Sequence, residues 1–282
     1  TQAEVNAVTA RLGLDRPLHV QYFIFMGNLI QGDFGTSFVH GRPAMDVILQ
    51  RMPATLELSL VAMLVSLFIG VPLGMIAGLM HDKWPGKTIM TGSIIGFSIP
   101  NFWLGLMLIL VFAVLLGWLP ASGRGQTVSV LGKEISIFTW NGLTHLLLPA
   151  LTLALYKISL IIRVARAGTR EVMLQDYIKF ARAKGVPQHR IIVVHILKNI
   201  SIPVVTVLGL ETGSMIAFAV VTETVFAWPG MGKLLIDSIL LLDRPVVVAY
   251  LVTVVIVFII INLIVDVLYS ILDPRIRPLG TN

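Results

Sequence analysis

The chain has 282 residues, of which 56% are hydrophobic and only 13% charged, with a formal net charge of +6. Soluble domains of this size carry about a quarter charged residues, so the composition argues against a soluble protein and for one embedded in a bilayer. There is no Cys, which excludes a disulfide frame and Cys-based metal or redox chemistry.

The N-terminal "TQAEVNAVTARLGLDRP" is polar and has neither a Met nor a signal-peptide core. Residues 1–53 read as an extracytoplasmic segment. A helix needs roughly 20 apolar residues to cross a bilayer core, and five stretches qualify: 54–80, 88–118, 146–162, 200–222 and 246–272. Together, residues 54–272 read as one all-α transmembrane domain, followed by a cytoplasmic tail, 273–282.

The first span carries Gly70, Gly74 and Gly78 one turn apart, and the fourth carries Gly209, Gly213 and Ala217. Such stripes let helix backbones approach closely, either as static packing or as a sliding surface. Pro72 interrupts the first span, Pro100 the second, and Pro149 opens the third; each removes a backbone donor. Beside Pro100, Ser98 and Asn101 can re-satisfy the backbone and line a cavity.

Ionisable residues within spans are costly. Glu57 and Asp266 lie near span ends. Lys157 is close enough to Arg163 to snorkel towards the inner surface. Glu211 lies too deep for that, so it faces the bundle interior, as a pathway residue or a helix-to-helix hydrogen bond. The outer segment "TETVFAWPGMGKLLIDSI" reads as a re-entrant turn leading into an interfacial helix. There Glu223, Phe226, Trp228, Pro229 and Gly230 make either a gate or docking lip, or an aromatic membrane anchor.

Orientation follows from loop Lys/Arg counts. With loop 163–199 inside, the inner segments hold twelve Lys/Arg against four Asp/Glu, and the outer ones eight against eight. Residues 1–53 then lie outside, which calls for an odd number of spans upstream, most simply one.

The inner loop 163–199 is the most basic part of the chain. Good helix formers run from about Arg170 to Ala183, with Met173, Tyr177 and Ala181 at helical spacing and Phe180 beside them. Gly185 suits the left-handed position past a helix end, Arg182 and Lys184 suit its dipole, and Pro187 suits a new first turn. The loop thus reads as helix–turn–helix, with an apolar knob among cations. It is either a lipid-facing basic loop or a docking knob for a cytoplasmic partner. No GxxxxGK[ST], HExxH or GxSxG occurs, so the chain has no P-loop of its own and is not expected to be an enzyme. The six His do not form a metal-ligand set.

The stretch "DYIKFARAKGVPQHRIIVVHILKNISIPVV" resembles the cytoplasmic coupling loop of ABC-importer permeases in the peptide/nickel/opine group. Further matches follow along the chain: "LGLDRPLHVQY", "GDFGTS", "PATLEL", "GWLPASG", "VTETVFAWPGMGKLLIDSI", "DRPVV" and "INLIVDVLYSILDPRIR". The pattern is similar to the B-type permease of dipeptide and oligopeptide importers. The general ABC-importer loop has Glu-Ala-Ala before its Gly. This chain has Ala181-Arg182-Ala183-Lys184-Gly185 instead, the form usual in the peptide group.

The resemblance implies a type I importer permease fold of six helices, the first upstream of Thr1, with a cytoplasmic coupling helix. It implies an inner-membrane location, a paralogous C-type permease, two cytoplasmic ATPases carrying ATP and Mg, and an extracytoplasmic solute-binding protein. No cofactor is expected on this chain. ATPase coupling falls to Asp176, Tyr177, Phe180, Ala181, Arg182, Ala183, Lys184 and Gly185. The translocation pathway falls to Glu211, Ser98 and Asn101. Peptides, glutathione, nickel chelates and opines are all open as solutes. The competing expectation is an ion-coupled secondary transporter using Glu211 and Asp266.

Overall fold

The computed structural model describes residues 16–130 and 132–272. Residues 1–15 and the expected tail 273–282 lie outside the described residues, as does the side chain of Asp266. A short apolar helix, α1 (Leu18–Ile30), leads into α2 (Ala44–Leu79). Next come α3 (Trp84–Ser98) and α4 (Asn101–Leu108), the latter running on into a π-helical stretch, Ile109–Leu115. A small antiparallel hairpin, β1 (Val128–Val130) with β2 (Lys133–Ile135), precedes α5 (Trp140–Leu174). Then follow α6 (Asp176–Ala183), α7 (Gln188–Val225), α8 (Met231–Leu240) and α9 (Arg244–Leu272).

Among the described residues, four helices are long and apolar enough to cross a membrane: Ala44–Leu79, Trp140–Leu174, Gln188–Val225 and the Arg244–Val265 part of α9. The α3–α4 pair makes a fifth span if counted as one, but it bends by 104°. Five spans match the expectation. Their ends differ from it. At 1.5 Å per residue, the 36 residues of α2 reach about 54 Å, well beyond the hydrocarbon core. The boundary drawn at residue 53 therefore falls inside a helix, and hydropathy could not reveal it because residues 44–53 mix polar and apolar side chains.

The prolines behave unequally. Pro72 and Pro149 lie within continuous helices and do not interrupt them, nor does Pro203. Pro100 breaks its span: Ile99 is extended at ψ 127° and caps α3, while Pro100 caps α4. A proline pushes its preceding residue out of the helical region. At Pro72 that tendency is opposed by packing, because flanking Gly70 and Gly74 are wedged against α5.

The glycine stripes set the main helix contacts. A Cβ on Gly70, Gly74 or Gly78 would lie 2.8, 2.6 or 2.7 Å from the Cβ of Ile161, Ala165 or Thr169. These three partners form a matching i, i+4 row on α5. Gly209 and Gly213 likewise meet Val265 and Phe258 of α9, whereas Ala217 is exposed. Three buried clusters result. With inner and outer ends named by the orientation expected from loop charge, one joins the middles of α2, α5 and α7; a second joins their inner parts to α6; a third ties the outer end of α2 to α7, α8 and α9.

Candidate functional site

Three places gather the polar and charged groups singled out above. The first is α6 with the turn that ends it. α5 and α6 do not form one helix, because Gln175 is extended at ψ 144° between them. Ile178 is fully buried, in the inner cluster, and Ala181 is nearly so. Tyr177 and Phe180 are exposed, at 43% and 62%. The expected knob is thus divided: Ala181 holds α6 to its own chain, together with Ile178, which the helical pattern had not picked out. Tyr177 and Phe180 are the outward residues. Their surroundings are basic, with Lys184 Nζ 4.6 Å from the Phe180 ring centroid. Tyr177 leans on α7, where its hydroxyl accepts from Asn199 Nδ2 at 3.3 Å. Arg182 donates to Met173 Sδ at 3.4 Å, tying the last turn of α6 back to α5.

The turn is a Schellman motif. Val186 N–H donates to Ala181 O at 3.1 Å and Gly185 N–H to Arg182 O at 2.9 Å. Gly185 has φ +75°, and a Cβ there would meet nothing within 4 Å. Glycine is required by backbone conformation alone. Pro187 then caps α7 at its N-terminal side. Asp176 and Lys179 form an exposed pair at 2.8 Å, and that ammonium holds the Asp176 carboxyl below the ordinary carboxylate range.

The second place is a cleft of about 420 Å³ beside the break at Pro100, lined by Asn101, Leu153, Tyr156, Lys157, Glu211, Ser214, Met215 and Phe218. Lys157 stands halfway along α5 and does not run to the inner surface. It forms an ion pair with Glu211 of α7 and donates to Ser214 Oγ at 2.9 Å. Ser214 Oγ in turn lies 3.0 Å from Glu211 Oε2. Deep in a span, a lone Lys and a lone Glu are each costly, and pairing them removes most of that cost. Sequence separation hid the pair, since the two residues lie on different helices. Tyr156, which also lines the cleft, stacks on Phe97 with ring centroids 4.6 Å apart. Of the expected pathway residues, Glu211 and Asn101 share this cleft. Ser98 lies outside its lining and donates to Ile94 O at 2.9 Å within α3.

The third place is the outer end, where motifs far apart in sequence meet. Glu223 is fully buried. Its Oε1 accepts from Thr55 Oγ1 at 2.6 Å, and its Oε2 accepts from the N–H groups of Gly232 at 2.7 Å and Lys233 at 3.0 Å. A Cβ on Gly230 would come 2.2 Å from Glu223 Oε1. Trp228 donates from Nε1 to Ala54 O at 2.9 Å, and Gly123 N–H donates to Phe226 O at 2.9 Å. Ala227, between the two rings, has φ +46°. Phe226 and Trp228 are therefore core residues of a folded-in turn, not an aromatic anchor at the membrane surface. Glu223, Gly230 and both rings are buried and Pro229 is half-buried, while Pro229 and Gly230 line a cleft with Val39, Arg51 and Lys233.

Two further knots complete the outer end. Glu57, near its span end, is buried: Arg124 donates to its Oε2 at 2.6 Å, and the N–H groups of Ser136 and Ile137 donate to its Oε1 at 2.7 and 2.6 Å. Asp243, also fully buried, accepts from Ser37 Oγ at 2.5 Å and Phe38 N–H at 3.1 Å. "GDFGTS" with "DRPVV", "PATLEL" with "VTETVFAWPGMGK", and "PATLEL" with "GWLPASGRG" are thus partners in space. Among the described residues, no group of three or more His, Cys, Asp or Glu has metal-site geometry.

Comparison with known proteins yields consistent matches. Residues 70–278 match the family of binding-protein-dependent transport system inner membrane components. The chain is 42% identical to the di/tripeptide transport system permease protein DppB of Pseudomonas aeruginosa (strain UCBPP-PA14), over 95% of this chain and 83% of that protein. It is also 42% identical to the oligopeptide transport system permease protein AppB of Bacillus subtilis (strain 168), over 98% of this chain and 86% of that one. Among solved structures, a chain of the MetNI methionine ABC transporter, in an inward-facing conformation, aligns with a TM-score of 0.66 at 17% identity. That alignment covers 81% of this chain and 97% of the other, and bears on the fold alone.

Proposed function

The chain belongs to the family of binding-protein-dependent transport system inner membrane components, and from that premise we propose how it works as the permease of a peptide importer. It is a multi-pass inner-membrane subunit of an ABC importer, and ATP hydrolysis resides on separate chains. Peptides are the solutes of both relatives by name; short peptides are the solutes proposed here. The proposed assembly pairs this chain with a C-type paralogue. Two ATPases carrying ATP and Mg sit beneath the pair, and a solute-binding protein sits outside.

In this reading loop 163–199 faces the cytoplasm and α6 is the contact with an ATPase. One observation carries it. α6 is pinned on one side by Ile178 and Ala181, presents Tyr177 and Phe180 on the other, and ends in a turn that only glycine adopts without strain. A side chain pinned in this way moves with its helix, so a push on Tyr177 or Phe180 is delivered to α5 and α7 through the buried inner cluster. Asp176, Arg182, Ala183 and Lys184 complete the contact, with the two cations at its rim. Closure of the ATPases on ATP would then move the inner ends of the spans, opening the cleft alternately to each side. The outer turn around Glu223, Phe226, Trp228, Pro229 and Gly230 serves as the rigid seat against which the spans move.

The test is Gly185→Val in the assembled transporter. A β-branched residue at φ +75° costs roughly 1–2 kcal/mol, and open space around the site means nothing else is disturbed. ATPase stimulation by the loaded binding protein should fall while basal hydrolysis by the ATPases persists. Unchanged stimulation would count against α6 as the contact. Membership of the binding-protein-dependent family disfavours an ion-coupled mechanism through Glu211 and Asp266.

A further inference from the structure

The ion pair between Lys157 and Glu211 is not sealed. Lys157 is 10% exposed and Glu211 31%, and both line the cleft beside Pro100. Lys157 brings three N–H donors, of which two are directed at Glu211 and Ser214. The Ser214 hydroxyl touches both charged groups. Around this polar spot the lining is apolar and adaptable: Leu153, Met215, Phe218 and the Tyr156 ring. A volume of about 420 Å³ is in the range of small-ligand pockets.

A simple charge argument selects the ligand. Opening a pair inside a membrane strands two charges, which is prohibitive unless each finds a new partner. A neutral solute supplies neither partner. A singly charged solute supplies one and leaves the other stranded. A zwitterion supplies both, so that one ion pair is exchanged for two. We propose that Lys157, Ser214 and Glu211 form an intramembrane site for the two charged ends of a short peptide, with Glu211 taking the α-ammonium and Lys157 the α-carboxylate. Ser214 holds both side chains in register, and the apolar lining receives the peptide's side chains. The proposal rests on the peptide-importer reading above and extends it: the permease itself checks for free termini.

The experiment uses the assembled transporter in nanodiscs without its binding protein. Radiolabelled dialanine, N-acetyl-dialanine and dialanine amide are compared by equilibrium dialysis. Capping either end should weaken binding by about tenfold or more, the worth of one charge-assisted hydrogen bond. Glu211→Gln should abolish discrimination against the N-acetyl form only, and Lys157→Met discrimination against the amide only. Each single variant strands a charge, so the double variant Lys157→Gln/Glu211→Gln guards against misfolding. It should assemble and bind all three compounds within about twofold, since no charged hydrogen bond then remains to distinguish them. Equal binding of free and capped peptides by the wild type, no dialanine binding, or discrimination surviving in the double variant would each overturn the site. ATP-driven uptake of dialanine with the binding protein present separates the two ideas. Uptake without terminal discrimination in the nanodisc removes this site and leaves the importer reading standing. Absence of uptake with every subunit present removes the peptide reading, and the site with it.

Discussion

Two glutamates on α7 show opposite ways of keeping a carboxylate inside a membrane protein. Glu223 is fully buried and accepts from two backbone N–H groups and the Thr55 hydroxyl, all held by folded structure. Glu211 is partly exposed and is met by a long Lys side chain and a serine. Backbone donors cannot leave without unfolding the turn, whereas an ammonium on a four-carbon stem can turn to another partner. The outer clamp is therefore built to stay closed and the mid-span pair is built to exchange. Burial separates the two, and the stiffness of their partners separates them further.

Substitutions can break that contrast, and the largest effect is expected at the clamp. Gly230→Val drives a Cβ to within 2.2 Å of Glu223 Oε1. The assembled complex should then be lost or recovered in trace amounts, as read by size-exclusion yield. Glu223→Leu comes next. It leaves three donors without an acceptor, two of them buried, and at about 1–3 kcal/mol for each buried one the thermal transition should fall steeply. Gly74→Val follows. Its Cβ lies 2.6 Å from that of Ala165 and 2.8 Å from Ile162 O, so α2 and α5 must separate. Overpacking of this kind costs about 1–3 kcal/mol, measurable as a lower melting temperature with normal assembly.

The paired neutral variant Lys157→Gln/Glu211→Gln sharpens the comparison. Stability should change by no more than about 1 kcal/mol, because removing both members of a buried pair is far milder than removing one, while peptide uptake falls. A collapse as severe as that of Glu223→Leu would mean the mid-span pair is structural too. The smallest effect is expected at Asp176→Asn. Both groups of the Asp176–Lys179 pair are exposed, and such pairs contribute little. Lys179 lowers the Asp176 carboxyl, so whatever the pair contributes is present above the ordinary carboxylate range and is lost only as pH falls below it. Coupling measured between pH 6 and 8 should not change on account of this pair.

Much of the arrangement could be read before any coordinates. Gly185 announced a left-handed turn because no other residue tolerates φ +75° cheaply. Gly70, Gly74 and Gly78 announced a close helix contact, since a one-turn repeat of missing side chains has little other use. What misled was depth and direction. Arg163, close in sequence, points Lys157 towards a helix end, yet its partner comes from another helix. Phe226 and Trp228 had the composition of a membrane anchor, and their burial depends on Ala54 O and on Gly123, neither nearby in sequence. Ile178 is one apolar residue among several on α6, and only the inner cluster shows that it faces in.

Sequence alone established the membrane class and five spans, an expected orientation, the break at Pro100 as a candidate, and the stop and restart around Gly185. These are local: they depend on hydropathy over one helix length, on loop charge, and on backbone angles available to single residues. Tertiary structure decided which proline bends its helix, which half of the α6 knob is exposed, and which carboxylates share a partner. Those outcomes depend on contacts between helices far apart in the chain. Local propensity there is weaker than the cost of a stranded charge or a missing void, so the packing chooses.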